Sequence, residues 1–313
     1  MPQYRHALPQ LSSNLFLTDA GLETDLIFNH GIEIREFAAH TLLSSRSGRT
    51  AMARYFKAFL ALARDVDAGF ILHSATWKAH PHWADALGAT VAELKAANEE
   101  SLRFIADLRQ QFAQNSKPIV LNAIAGPRGD AYKPDAIIPV REAEDYFGEQ
   151  IGWLLGTEAD LVSGMTFNQA SEAAGFIRAA RRAGIPAAVS FTVETDGMLS
   201  TGQSLGDAVR QVDAASAGYC SYFMINCAHP DHFTRGLEEA EWTRRIKGLR
   251  ANASRKSHAE LDASTELDAG DPNELADKYC SLAARMPWIN IFGGCCGTDL
   301  RHVAKIAEAV RRR

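Results

Sequence analysis

The sequence predicts an α/β protein built as a single (β/α)8 barrel, and three observations predict it. Eight short apolar runs are rich in β-branched and aromatic residues; a segment of helical period follows each of them; and the first strand-to-helix turn lacks the glycines of a nucleotide-binding loop. The strand candidates are Leu15–Asp19, Phe70–Ser74, Ile119–Ala123, Leu161–Met165, Ala187–Thr192, Tyr222–Asn226, Leu249–Asn252 and Trp288–Phe292. Between and after them the helical period covers Arg49–Ala68, Val91–Gln114, Ala143–Ala159, Gln169–Ala183, Leu205–Ala217, Asp231–Lys247, Asn273–Arg285 and Leu300–Arg311. End signals support several of these, such as Gly184 and Pro186 after the fourth helix and Asp271-Pro272 before the seventh. Eight β-α units in 313 residues is the arithmetic of one barrel domain spanning 1–313. A doubly wound open sheet would normally open with a glycine-rich phosphate turn, whereas this chain reads Asp19-Ala20-Gly21-Leu22-Glu23-Thr24.

Bulk properties narrow the function class. Hydrophobic residues make up 46% and charged residues 23% of the chain, enough apolar material for a large core. A net charge of -5 gives no electrostatic reason to expect nucleic acid or an anionic membrane as partner. No stretch approaches the roughly 18 uninterrupted apolar residues of a membrane span, and the first twenty residues lack a signal-peptide core, so a cytoplasmic location is expected. Five cysteines are too few, and odd in number, for a disulfide scaffold; reduced thiols are the expectation. Cys220 and Cys280 lie in apolar stretches and read as core.

In a barrel the loops that follow the strands build the active face. Three of them are long: Leu26–Ser45, Gly126–Arg141 and Ser254–Pro272. Cys227 directly follows the sixth strand, and Cys295-Cys296 follow the eighth through Gly293-Gly294, so three thiols far apart in sequence can converge at one mouth. Three soft anionic ligands with a fourth position open form the pattern of a catalytic zinc site. The glycine pair lets the backbone turn so that two adjacent side chains face one ion. Residue chemistry alone leaves a second reading open, with Cys227 a small buried hydrophobe and Cys295-Cys296 a redox pair.

Other strand ends offer further groups. After the second strand, His73-Ser74-Ala75-Thr76-Trp77 points to the mouth, where Trp77 either covers a cationic ligand or packs a loop. His73, His80 and His82 match no compact ligand spacing and read as core or solvated histidines. Glu194 follows the fifth strand, and Glu23 lies just past the first.

Asp19-Ala20-Gly21 with Thr24, Asn226-Cys227, Asn252-Ala253-Ser254 and Gly293-Gly294-Cys295-Cys296-Gly297-Thr298, in this order and spacing, resemble the homocysteine S-methyltransferase family from Leu15 to Val310. The resemblance implies a (β/α)8 barrel whose Cys227, Cys295 and Cys296 bind zinc, and methyl transfer from a small donor to the sulfur of homocysteine, giving methionine. With no additional region to serve as a cobalamin domain, a direct donor such as S-methylmethionine or another sulfonium is expected. The substrate-binding set it implies joins Asp19 for the ammonium, the amides of Ala20 and Gly21 for the carboxylate, and Thr166 and Asn226 as further substrate contacts. One departure stands out: the family usually shows Glu-Thr after the fourth strand, and this chain reads Met165-Thr166. Either Asp19, Glu23 or Glu194 supplies the missing charge, or the acceptor is a different thiol or selenol. A non-catalytic zinc- or thiol-binding barrel is the rival from another class. Expected partners are a small thiol and a methyl donor; the last helix and the long first loop each offer a surface on which copies of the chain could meet as a homo-oligomer.

Overall fold

The computed structural model describes residues 1–114, 117–134, 136–237 and 240–311. Eight parallel strands close into a barrel in sequence order: β1 Phe16–Leu17, β2 Gly69–His73, β3 Ile119–Ala125, β4 Leu161–Phe167, β5 Ala187–Phe191, β6 Cys220–Asn226, β7 Ile246–Ala251 and β8 Ile291–Gly294. β1 closes the ring, with Phe16 opposite both Gly69 of β2 and Ile291 of β8. The (β/α)8 barrel expected from the alternation is therefore the fold.

Period-2 alternation sorts the strand residues into two layers. Phe16, Ile71, Val120, Leu161, Ala188, Tyr222, Met224 and Ile291 pack on one another inside the barrel, while Phe70, Leu72, Phe223 and Ile225 pack outward against the helices. Gly69 makes room for Phe16, since a Cβ there would lie 2.3 Å from its ring. The outer layer contains α1 Arg46–Asp65, α2 Val91–Gln111, α3 Val140–Trp153, α4 Ala170–Ala183, α5 Leu205–Ser216, α6 Pro272–Arg285 and α7 Leu300–Arg311. Their starts follow capping chemistry: Ser45 accepts from Gly48 N, Thr90 and Glu93 form a reciprocal box, and Asp271 precedes Pro272.

The sequence reading departs from the structure between β6 and β7. The continuous helix expected over Asp231–Lys247 is absent. One α-turn at Pro230–Phe233 and 3-10 turns at Thr234–Gly236 and Glu241–Arg245 stand there, while residues 238 and 239 of that segment lie outside the described residues. Gly236 weakens any helix through this stretch, Ala240 is fully extended, and Ile246 and Lys247 already belong to β7. The eighth strand is likewise displaced: Trp288 lies before it, its indole donating to Thr243 O at 2.8 Å, and pairing runs on through Gly293 and Gly294. Glycine's poor strand propensity hid that continuation.

The chain's first residues close the amino-terminal end of the barrel. Asp160, ahead of β4, accepts from the amides of Gln3, Tyr4 and Leu121 and from Arg109, all within 3.0 Å. The opposite end stays open as a cavity.

Candidate active site

A cavity of about 610 Å³ occupies the carboxyl-terminal mouth, lined by Asp19, Glu23, Lys78, Met165, Arg250 and the three cysteines among others. The sulfurs of Cys227, Cys295 and Cys296 all lie within 4.8 Å of one another. Cys227 and Cys295 are drawn into direct sulfur–sulfur contact with Cα atoms 5.4 Å apart, a separation a disulfide spans, so the five cysteines are not five separate thiols here, and holding a metal requires this pair to be reduced. Cys220, Cys280 and Cys296 are free.

Backbone strain aims the first sulfur. Thr166, in β4, and Cys227, just past β6, both adopt left-handed conformations, φ 65° and 55°, which non-glycine residues rarely hold without support. That support is visible. Asn226 Oδ1 accepts from Thr166 N at 3.0 Å and Asn226 Nδ2 donates to Thr166 Oγ1 at 2.8 Å. The Thr166 hydroxyl then donates to Cys227 Sγ at 3.8 Å, and Asn226 Nδ2 also reaches Cys295 Sγ at 3.9 Å. Donors directed at sulfur fix its position. Thr166 and Asn226, expected as substrate contacts, are thus placed against the sulfurs.

The Cys295-Cys296 turn is stitched from both sides. Gly294 N donates to Asp19 O at 3.0 Å and Gly297 N to Thr24 Oγ1 at 3.1 Å on the β1 side; Cys295 N donates to Ala251 O at 2.9 Å, and Ala253 N to Cys296 O at 3.1 Å, on the β7 side. Gly21 packs directly on this turn, for a Cβ there would lie 2.5 Å from Cys295 O. A second use of the glycines also emerges. Arg250 stands opposite Gly293, and a Cβ at Gly293 would lie 1.9 Å from Thr18 Oγ1. With no side chain there, the Arg250 guanidinium crosses β8 to reach Thr18 Oγ1 and Asp19 Oδ1, each at 2.6 Å.

This buried arginine redefines Asp19. Arg250 Nη1 also donates to His73 Nδ1 at 2.9 Å and Nη2 to Ala20 O at 3.1 Å, while Tyr55 donates to Asp19 Oδ2 at 3.4 Å. Burial would push the Asp19 carboxyl up, but the Arg250 guanidinium holds it well below the usual carboxylate range. Burial, then the Arg250 charge, lowers His73, matching an imidazole that accepts from the arginine. Asp19 therefore stands ionised and already matched. The amides of Ala20 and Gly21 are engaged too, by Tyr55 Oη at 3.1 Å and Thr298 O at 3.3 Å.

Glu23 differs. It lines the cavity, and burial, opposed by its own amide and reinforced by Asp19, raises its carboxyl to about 7. Glu194 lies away from the cavity lining: it pairs with His258 Nδ1 at 3.0 Å, and His258 Nε2 meets the Cys227 carbonyl at 2.7 Å. Tyr132 stacks on that imidazole, with ring centroids 4.1 Å apart. Trp77 braces the wall by donating to Met165 O at 3.0 Å. His80 is fully buried against Tyr146. Arg250, His258, Tyr55 and Lys78 escaped the sequence reading. Of these only Arg250, a charge inside an apolar strand run, carried a signal.

The donor chemistry fits a soft divalent metal: three sulfurs, no competing oxygen ligand in the group, one side open to a cavity. Burial, with Glu23 beside it, pushes the Cys296 thiol up to about 12, so this sulfur needs a cation to exist as a thiolate.

The homocysteine S-methyltransferase family model matches residues 16–310 of the chain. The methionine synthases of Mycobacterium leprae and Mycobacterium tuberculosis are each 29% identical to it, over 153 and 151 residues, which is 44% of this chain. The matched region spans about 11% of the length of those relatives. The homocysteine methyltransferase MmuM from Escherichia coli, in its metallated form, superposes with a TM-score of 0.74 at 20% identity, covering 98% of this chain and 99% of that one; at that identity the likeness concerns the fold.

Proposed function

This chain belongs to the homocysteine S-methyltransferase family and is a methyltransferase, and on that premise we propose that it moves a methyl group from a small sulfonium donor to the thiol of homocysteine, giving methionine. The convergence of three cysteine sulfurs within 4.8 Å at the open end of the barrel carries the reading. Cys227, Cys295 and Cys296 would hold a zinc ion, which when bound keeps an added thiol deprotonated and nucleophilic at neutral pH. The acceptor sulfur then bonds the donor methyl carbon, that carbon's bond to the donor sulfur breaks, and a neutral sulfide leaves with the electron pair.

The chain's own residues supply placement. Thr166 and Asn226 orient the Cys227 and Cys295 sulfurs through the bonds described above. Asp19, Ala20 and Gly21 frame the acceptor pocket as a rigid wall whose polar groups are matched within the protein. The carboxylate for the acceptor's ammonium is assigned to Glu23, which lines the cavity and makes no ion pair among the described residues. Glu194 acts at one remove, holding His258 against the Cys227 carbonyl. Asp130, Asp262 and Glu266 on the loops after β3 and β7 give the mouth an acidic rim, and Asp262 is raised by burial and by Asp130. Carboxylates that outnumber the lysine among them favour a positively charged donor. Fixing both reactants in line contributes on the order of several kcal/mol. Reduced ligand cysteines suit a cytoplasmic setting.

Met165, buried in the cavity wall where the family resemblance calls for glutamate, favours a second reading, the same transfer onto a different thiol or selenol. Incubating reduced, zinc-loaded protein with homocysteine and S-methylmethionine tests the first: methionine is the expected product. No product from homocysteine with sulfonium or betaine donors, together with turnover of another thiol, would replace it by the second.

A further inference from the structure

Lys78 is the cavity's basic residue that the account so far leaves without a task. Its backbone is fixed, because the neighbouring Trp77 is anchored to Met165 O through its indole and accepts from Gly126 N at 2.9 Å. Its ammonium lies 3.7 Å from the centroid of the Trp83 ring and 5.7 Å from that of Trp77. Lys95, Lys117, Lys278 and Lys305 each reach a carboxylate, whereas half-buried Lys78 makes no ion pair among the described residues. A partly desolvated ammonium that touches aromatic faces, with no carboxylate in ion-pair contact, has room for an anion.

Its position selects which reactant supplies that anion. The charges acting on Lys78 are Glu36, Asp130 and Glu23, from the loops after β1 and β3; those acting on Cys296 are Glu23, Asp262 and Arg250. Glu23 is therefore close enough to act on both the lysine and Cys296, in the one cavity that all three line. With the acceptor's ammonium assigned to Glu23, Lys78, which lines the same cavity beside Trp83, is left for the carboxylate of the other reactant. We infer that Lys78 binds the carboxylate of the methyl donor, so that the donor subsite takes an amino-acid sulfonium in preference to a bare alkyl sulfonium. The acidic rim draws the cationic sulfonium, and Lys78, the one lysine among the described lining residues, sets the orientation by attracting the opposite end. Glu36 and Asp130 are the protein's own competitors for the same ammonium. This inference rests on the sulfonium reading proposed above.

Equilibrium binding separates the two without turnover. S-Methyl-L-methionine and its decarboxylated analogue, (3-aminopropyl)dimethylsulfonium, are titrated calorimetrically into the zinc-loaded enzyme without acceptor, using wild type, Lys78→Met and Lys78→Arg. The expectation is about tenfold weaker binding of S-methyl-L-methionine to Lys78→Met, recovery in Lys78→Arg, and no change for the decarboxylated donor in either variant. Equal weakening of both donors would make Lys78 a wall residue and overturn the inference, as would undiminished binding of S-methyl-L-methionine to Lys78→Met. A tenfold loss seen instead with homocysteine would assign Lys78 to the acceptor. Failure of wild type to bind either sulfonium would refute the donor reading itself.

Discussion

The two ends of the barrel each bury an aspartate against an arginine and use the pair for opposite purposes. At the amino-terminal end Asp160 meets Arg109 at 3.0 Å, and its remaining capacity goes to the amides of Gln3, Tyr4 and Leu121. Every bond ties chain to chain and closes the barrel. At the mouth Asp19 meets Arg250 at 2.6 Å, with His73 and Tyr55 around it, and the same pair forms the wall of a cavity beside three sulfurs. The strained backbones of Thr166 and Cys227 lie at this end. A buried ion pair by itself does not mark a site; what marks one is an ion pair beside groups left unmatched, here Glu23, Lys78 and Cys296.

Replacement of each aspartate tests the contrast. Asp19→Asn leaves the buried Arg250 guanidinium without its anion, an expected loss of about 3–5 kcal/mol measured by urea denaturation, whereas Asp160→Asn leaves Arg109 its pairing with Glu158 at 2.7 Å and should cost less. Only Asp19→Asn should also lower methyl transfer per folded molecule, because Arg250 then pulls away from the wall that carries the Cys295-Cys296 turn. Equal activity per folded molecule in the two variants would abolish the distinction.

A buried carboxyl outside the mouth gives the next effect. Glu172, 1% exposed at the start of α4, accepts from Arg128 N at 2.7 Å, and burial raises it to about 7. A raised folded pKa stabilises the protein fully at pH values below the unfolded pKa, its ordinary 4.5, and that stability is lost as pH rises through about 7. Glu172→Gln, neutral at every pH, should therefore match wild type near pH 4.5 and exceed it at pH 8 by on the order of 1–3 kcal/mol, read from calorimetric Tm. A constant difference across that range would contradict the assignment.

Restoring the expected charge sharpens the comparison inside the mouth. Met165→Glu sets a carboxylate into the wall and should tighten homocysteine binding about tenfold if the ammonium is under-served, measured by titration. Unchanged affinity would mean that Glu23 already meets the need.

How much of this was legible follows from the distance over which each signal acts. The strands announced themselves through local alternation, and the cysteines through their place just beyond strand ends. Asp231–Lys247 misled because its helical period is local while Gly236, the extended Ala240 and the pairing of Ile246 and Lys247 into β7 override it. Arg250 stayed hidden because its partners His73 and Thr18 lie 177 and 232 residues away. Nothing local to Asp19 tells that its charge is spent on an arginine, nor to Gly293 that the missing side chain opens the way across β8. Thr166 and Asn226 read as pocket residues from their strand ends; that they donate to sulfur emerges only when β4, β6 and β8 come together.

The central claim is that Cys227, Cys295 and Cys296 form one metal-binding group. Metal analysis of the full chain, purified reduced and without chelator, measures it directly. The account predicts about one zinc per chain in wild type and its loss in Cys296→Ser, the variant that spares the Cys227–Cys295 contact. Less than half an equivalent in wild type, unaffected by Cys296→Ser, would contradict it.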